Sequence, residues 1–349
     1  MMGPLHIVVP GPIDQRTGGY VYDRQIVEGL RALGRTVLVH ELPGRFPDVD
    51  QEAVDAAEAI IERFGQDLAV IDGLALPAFQ DHIDRLPMPW IGLIHHPLCM
   101  ETGLTSEESA SMASIEGLLM HRAAHLIVTS PGTRRDLVQF DIDPATVSVV
   151  LPGVEPARPA RGSGADKPRQ LLTVGSLTRR KGHLTLLEAL GNLLDLDWHL
   201  NLVGSAHWDP EHAAEIEHQA ETLGLSKRVA QTGEQDEAGL ARLYDGADLF
   251  VLASHHEGYG MVLTEALARA LPVVSTTAGA IPETVPEGAG LLVPPGKPAA
   301  LADAMRSVLT GGEQYRRLAD GAAAAREALQ SWEESTRQFA EVLDWISAQ

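Results

Sequence analysis

Short runs rich in leucine and β-branched residues alternate with longer amphipathic stretches along the whole chain, the pattern of parallel strands wrapped by helices. In the first half, Leu5–Val9, Thr36–His40, Leu68–Ile71, Trp90–Ile94, His125–Val128 and Val147–Val150 read as strands. The rhythm breaks between Pro152 and Pro168, where Gly153, Pro156, Pro159, Gly162 and Gly164 suit neither a helix nor a central strand. It then restarts with Gln170–Val174, His199–Val203, Arg228–Gln231, Leu249–Leu252, Pro272–Val274 and Leu291–Val293. The expected architecture is α/β, with two Rossmann-like doubly wound domains at residues 1–155 and 169–330 and a linker at 156–168. Open sheets of this kind bind ligands at the carboxyl ends of their strands, so two of them are expected to face a central cleft.

Composition narrows the partners. A chain of 349 residues that is 44% hydrophobic can bury two cores. Its formal net charge is −21 and both halves are acidic, which argues against nucleic acid and against an anionic membrane surface. The lone Cys99 cannot form an intrachain disulfide, and the N-terminus lacks the basic and apolar regions of a secretory signal. No apolar run approaches the roughly 18 residues of a transmembrane helix. A cytoplasmic protein is expected, with no oligomeric state assigned.

Candidate chemistry gathers at predicted strand ends. Glu257-Gly258-Tyr259-Gly260-Met261-Val262 follows the strand Leu249–Leu252, turns through two glycines and opens a helix near Met261 that carries Glu265. The glycines allow close backbone approach, and the N–H groups of a first helical turn suit a phosphate. Glu257 and Glu265 can face one pocket; equally, Glu265 can be a solvated helix residue and the glycines can merely shape a turn. Arg179, Arg180 and Lys181, before Gly182, form a cationic turn in an acidic chain, suited to a diphosphate or to balancing nearby carboxylates. Gly18 and Gly19 begin a helix after the first strand, and His95 and His96 end the fourth, where a side chain can reach a sugar hydroxyl or simply pack. Three D-x-D matches, at Asp48 and Asp50, Asp141 and Asp143, and Asp195 and Asp197, lie away from the glycine loops, and neighbouring histidines on extended chain point apart. No metal is assigned. Gly290 to Lys297 is not a phosphate-binding P-loop, because its glycines are wrongly spaced and Pro298 follows.

In order along the chain, Gly18-Gly19, Leu151-Pro152-Gly153-Val154, Val174-Gly175 with Arg180-Lys181-Gly182, Glu257 with Glu265, Leu271-Pro272-Val273-Val274 and Gly279-Ala280-Ile281-Pro282-Glu283 resemble the family-four retaining glycosyltransferases of the GT-B fold. The resemblance covers nearly the whole chain and is strongest from Leu171 to Pro295. It implies a donor diphosphate gripped by Arg180 and Lys181, with Arg179 as a further cation, and by the N–H of Gly19. It also implies that Glu265 holds the ribose, that Glu257 and the backbone from Gly258 to Met261 contact the sugar, and that His95 or His96 lies near the anomeric centre. The implied reaction moves a sugar from a UDP- or GDP-linked donor to a hydroxyl of a small molecule, glycan or lipid, with retention and without a cofactor or metal. The departing phosphate would itself help deprotonate the acceptor. The family's last helix often returns to the first domain, a role expected of residues 331–349. Ser176 replaces a common arginine and Ala270 a common glycine. A nucleotide-sugar epimerase, a glycoside phosphorylase and a non-catalytic nucleotide-sugar-binding protein are the alternatives on the same scaffold.

Overall fold

A computed structural model describes residues 3–164 and 167–348. Met1 and Met2 of the expected first domain, Ala165 and Asp166 of the expected linker and Gln349 at the end of the expected terminal segment lie outside them. The chain forms two compact units, Met1–Gly153 with Gln330–Gln349, and Val154–Leu329.

The first unit holds β1 (Leu5–Pro10), β2 (Val37–Leu42), β3 (Ala69–Asp72), β4 (Trp90–Ile94), β5 (His125–Val128) and β6 (Val147–Val149) in one parallel sheet of order β2-β1-β3-β4-β5-β6. The second holds β7 (Arg169–Val174), β8 (Trp198–Val203), β9 (Val229–Gly233), β10 (Leu249–Leu252), β11 (Val273–Thr276) and β12 (Gly290–Val293), also parallel, in the order β12-β11-β10-β7-β8-β9. Each strand expected from the alternating pattern is present, its ends within two residues of expectation. The inner strands β3, β4, β5, β10 and β11 are buried along their whole length, as required where helices cover both faces of a parallel sheet.

Strand order positions the sites. In the first sheet the chain winds outward from β1 to β2 and then crosses to β3 on the other side of β1. In the second it winds from β7 through β8 to β9 and returns to β10 beside β7. Loops leaving the carboxyl ends of β1 and β3, and of β7 and β10, therefore diverge and leave a crevice at each switch point.

Residues 156–168, expected as a linker, belong to the second unit. The backbone N–H of Ala160 donates to Arg269 O at 2.8 Å, and those of Arg161 and Gly162 donate to Asp245 O at 2.9 and 3.0 Å. A segment unsuited to helix or strand is thus satisfied by carbonyls at the ends of neighbouring helices. The helix Trp332–Ser347 starts at Ser331, whose side chain accepts from Glu334 N, and buries Phe339, Leu343 and Ile346 against Tyr22, Ile26 and Leu30 of the helix Gly18–Ala32. Arg35 grips Asp344 with both distances at 2.8 Å. Among the described residues no helix is long and apolar enough to cross a membrane.

Candidate functional site

At the second switch point, β7 runs through Gly175 into a single helical turn, Arg179–Lys181, before the helix His183–Gly191. Gly182 ends that turn with φ +68°, and a Cβ there would collide with the carbonyl of Ala253, so only glycine lets the turn lie against the end of β10. His255 N donates to Arg180 O at 2.7 Å, tying the two loops together.

This junction brings residues 76 positions apart into one cluster. Lys181 Nζ lies 2.7 Å from Glu257 Oε1 and Arg180 Nη1 lies 3.4 Å from Glu257 Oε2. Arg180 also donates to His256 O at 2.9 Å, and Ser254 Oγ donates to Glu257 Oε1 at 2.6 Å. Glu257 is 5% exposed. Burial alone would raise its pKa, but the charges of Lys181 and then Arg180, with hydrogen bonds from Lys181 and Ser254, outweigh that cost and bring it down to about 2. The carboxylate is ionised, and it faces two cations.

The Glu257 backbone is pinned from the other side. Ala280 N donates to its carbonyl at 2.9 Å, and a side chain on Gly279, where φ is +56°, would strike the same carbonyl. Thr284 Oγ1 donates to Tyr259 O at 2.6 Å. Gly260, at φ +87°, then starts the helix Met261–Ala268. The first N–H groups of that helix, from Met261 and Val262, have no intrahelical acceptor and carry the positive end of its dipole. One turn on, Glu265 is half-buried and accepts from Tyr244 at 2.9 Å. Burial raises its pKa, and the Tyr244 hydrogen bond and the Arg269 charge hold that rise back.

Arg179 is not brought into this cluster. Its guanidinium forks onto Glu215, with both distances at 2.8 Å, and its Nε is 3.7 Å from Asp209. Adjacent residues on a tight turn point in different directions, so three consecutive cations divide between two partners.

In the first unit, Gly18 and Gly19 open the helix Gly18–Ala32, and Gly19 lies against the His95 ring: a Cβ on it would sit 3.2 Å from His95 Cδ2 and 3.4 Å from Nε2. His95 Nε2 is 3.1 Å from both Asp23 Oδ1 and Asp72 Oδ2. Asp72 is the last residue of β3, and Asp23 lies one helical turn beyond Gly19. Burial favours the neutral ring, but the Asp23 charge and then hydrogen bonds donated by the ring to the carboxylates override it, raising the His95 pKa well above the ordinary imidazole range. His96 faces elsewhere, with Nε2 3.1 Å from Glu101 Oε2. The neighbouring histidines thus serve different partners.

Among the described residues, Asp23, Asp72 and His95 are the one group of three metal-binding side chains whose ligand atoms lie within 4.8 Å of each other. The D-x-D aspartates serve local structure: Asp50 caps the helix Gln51–Phe64, Asp143 accepts from Ala145 N, and Asp195 pairs with Arg306 at 2.6 and 2.8 Å. Sequence reasoning missed Asp23, Asp72, Ser254 and Tyr244. Asp23 carried a readable signal, four residues after Gly19 on the same helical face; Asp72 was readable as an acid at the end of an apolar strand.

Two parallel six-stranded Rossmann-like units, the second with a cation pair and a buried glutamate beside a glycine-started helix, define the GT-B fold. Residues 158–325 match the model of the family described as glycosyl transferases group 1. It is 32% identical over 281 residues to the D-inositol 3-phosphate glycosyltransferase of Kineococcus radiotolerans, covering 70% of this chain and 63% of that one. It is 29% identical over 257 residues to the enzyme of the same name from Corynebacterium kroppenstedtii, covering 68% of this chain and 56% of that one. The match thus spans less than two thirds of the length of either relative. The fold is shared with sucrose-phosphate synthase from Thermosynechococcus elongatus, at TM-score 0.84 and 24% identity over 99% of both chains. It is shared also with Anabaena HepE, solved in complex with UDP and glucose, at TM-score 0.78 and 20% identity over 97% of this chain and 99% of that one.

Proposed function

We propose that this protein transfers a sugar from a UDP- or GDP-linked donor to an acceptor hydroxyl with retention of configuration and without a metal ion. The observation that carries the reading is the cluster of Arg180, Lys181 and Glu257 beside the start of the helix Met261–Ala268. Lys181 and Arg180 supply fixed positive charge for the diphosphate, and the helix start supplies N–H donors. Glu257, with the backbone from Gly258 to Met261, meets the transferred sugar, and Glu265 takes the ribose hydroxyls. With no side chain assigned as nucleophile, catalysis is positioning plus stabilisation of charge on the leaving diphosphate, whose oxygen accepts the acceptor's proton on the departing face. The name shared by the two relatives makes a phosphorylated inositol the first acceptor to try.

Titration calorimetry of UDP and GDP against the wild type and Lys181→Ala tests the donor assignment. Losing a charge-assisted contact of about 1.5–3 kcal/mol weakens nucleoside diphosphate binding by roughly tenfold to a hundredfold. Unchanged affinity removes the diphosphate from this cluster.

A further inference from the structure

The loop that leaves β4 is held by a buried carboxylate that no cation accompanies. The helix Ser106–Met120 starts at Thr105, where the Thr105 hydroxyl and the Glu108 side chain cap each other's backbone, and it packs along the loop that precedes it. Ser109 and Glu116 stand seven positions apart, two helical turns, and so share one face. Glu116 Oε1 accepts from Leu98 N at 2.6 Å and its Oε2 from Cys99 N at 2.8 Å, while Ser109 Oγ donates to the Cys99 carbonyl at 2.8 Å. Glu116 is 7% exposed, and among the described residues no cation lies against it. Burial raises its pKa, and the bonds from Leu98 and Cys99 hold that rise back. A buried carboxyl group is costly unless its oxygens are bonded, and here the loop's own N–H groups bond them.

The exposed side of the same loop is tied as well. His96, just after β4, lies with Nε2 3.1 Å from Oε2 of Glu101, which follows the single helical turn Leu98–Met100. Their side chains are 21% and 38% exposed, whereas Cys99 packs into the core. Since β4 adjoins β3, the loop borders the crevice at the first switch point. We propose that Glu116 is a positioning residue: it anchors Leu98 and Cys99 so that His96 and Glu101 stand as a fixed pair for the hydroxyls of a polyol acceptor. The acceptor part rests on the transferase reading above; the anchoring of the loop does not. An imidazole with a carboxylate offers both donor and acceptor atoms, the complement of neighbouring hydroxyls. Such a pair on a loop is only as precise as its support, and the support needs two acceptor oxygens, one for each N–H.

Hydrogen exchange of the full-length protein, followed by mass spectrometry over residues 96–104, reads the anchor. The wild-type segment is expected to exchange slowly. Glu116→Gln keeps one acceptor oxygen and turns an NH₂ group toward the other N–H, so it should speed that segment by about tenfold or more while β4 and β5 stay unchanged. Glu116→Asp retains both oxygens and should exchange more slowly than the glutamine variant. Should Glu116→Gln misfold, Ser109→Ala removes the remaining tie and should give a smaller acceleration confined to the same segment. Wild-type exchange rates in both Glu116→Gln and Ser109→Ala overturn the anchor. Transfer is read with D-inositol 3-phosphate as acceptor and the UDP- or GDP-linked sugar that supports the reaction. Glu116→Gln should raise KM for the inositol phosphate by about tenfold, because misplacing a positioning group weakens productive contact. KM for the nucleotide sugar and the affinity for UDP should stay within about twofold, since Arg180, Lys181 and Glu265 belong to the other unit and share no partner with Glu116. Equal rises in both KM values, or an unchanged acceptor KM with the loop loosened, refute the positioning role. If no transfer is found with any acceptor, the transferase reading falls, while the exchange rates still decide whether Glu116 holds the loop.

Discussion

Glu257→Gln removes one charge from a buried carboxylate that faces two cations and changes almost no volume. Its carboxyl is held at about 2 against an ordinary 4.5, because the Lys181 and Arg180 charges outweigh burial. A folded-state pKa below the unfolded value means that the ionised group stabilises the fold above the unfolded pKa and loses that contribution as pH falls toward the folded one. At 1.36 kcal/mol per pH unit, the difference is worth about 3 kcal/mol at pH 7 and about 1.4 kcal/mol at pH 3. The glutamine variant should lack this, and it leaves two cations facing each other, the situation in which broken buried pairs cost about 3–5 kcal/mol. For a unit the size of Val154–Leu329, about 3 kcal/mol lowers Tm by roughly 6–12 °C. Scanning calorimetry of both proteins at pH 7 and pH 3 should show that gap at neutral pH and less than half of it in acid. Turnover should fall while UDP binding is retained if the proposed donor assignment holds, since Lys181 and Arg180 remain in place. A gap of equal size at both pH values would mean that lost packing, and not the charge of Glu257, accounts for the effect.

Phe339→Ala empties a site fully buried between the helix Trp332–Ser347 and the helix Gly18–Ala32, and should destabilise the first unit by about 3–5 kcal/mol. Two-transition calorimetry should show that loss in one transition only. Arg179→Ala should leave UDP affinity within about twofold of the wild type, since its exposed pair with Glu215 is weakly coupled to the cluster; a loss as large as that of Lys181→Ala would put Arg179 on the diphosphate. Ala270 sits at φ 55° after the helix Met261–Ala268, where Leu271 N returns to Ala266 O at 3.0 Å. Glycine suits this left-handed position better, and Ala270→Gly should raise stability by about 0.5–1 kcal/mol in denaturant titrations.

Local pattern was enough for the frame. The period of apolar runs placed the strands, because a strand buried on both faces has no room for polar residues along its length. The glycines at 19, 182, 258 and 260 and the cations at 180 and 181 stood out because loops that approach a phosphate need both. The 156–168 segment shows the complementary limit: its prolines and glycines exclude regular structure but carry no record of the distant carbonyls that accept from Ala160, Arg161 and Gly162.

Residue order alone settles the succession of elements, the doubly wound character of both units and the residue types gathered at their strand ends. Tertiary structure decided the pairings: Lys181 with Glu257, Arg179 with Glu215, and Asp23 and Asp72 with His95. The reason is topological. Strand order, which is a property of the whole sheet, brings the ends of β7 and β10 side by side, and so too those of β1 and β3. Charges 76 residues apart thereby meet within 2.7 Å, while neighbours on one turn part to different partners.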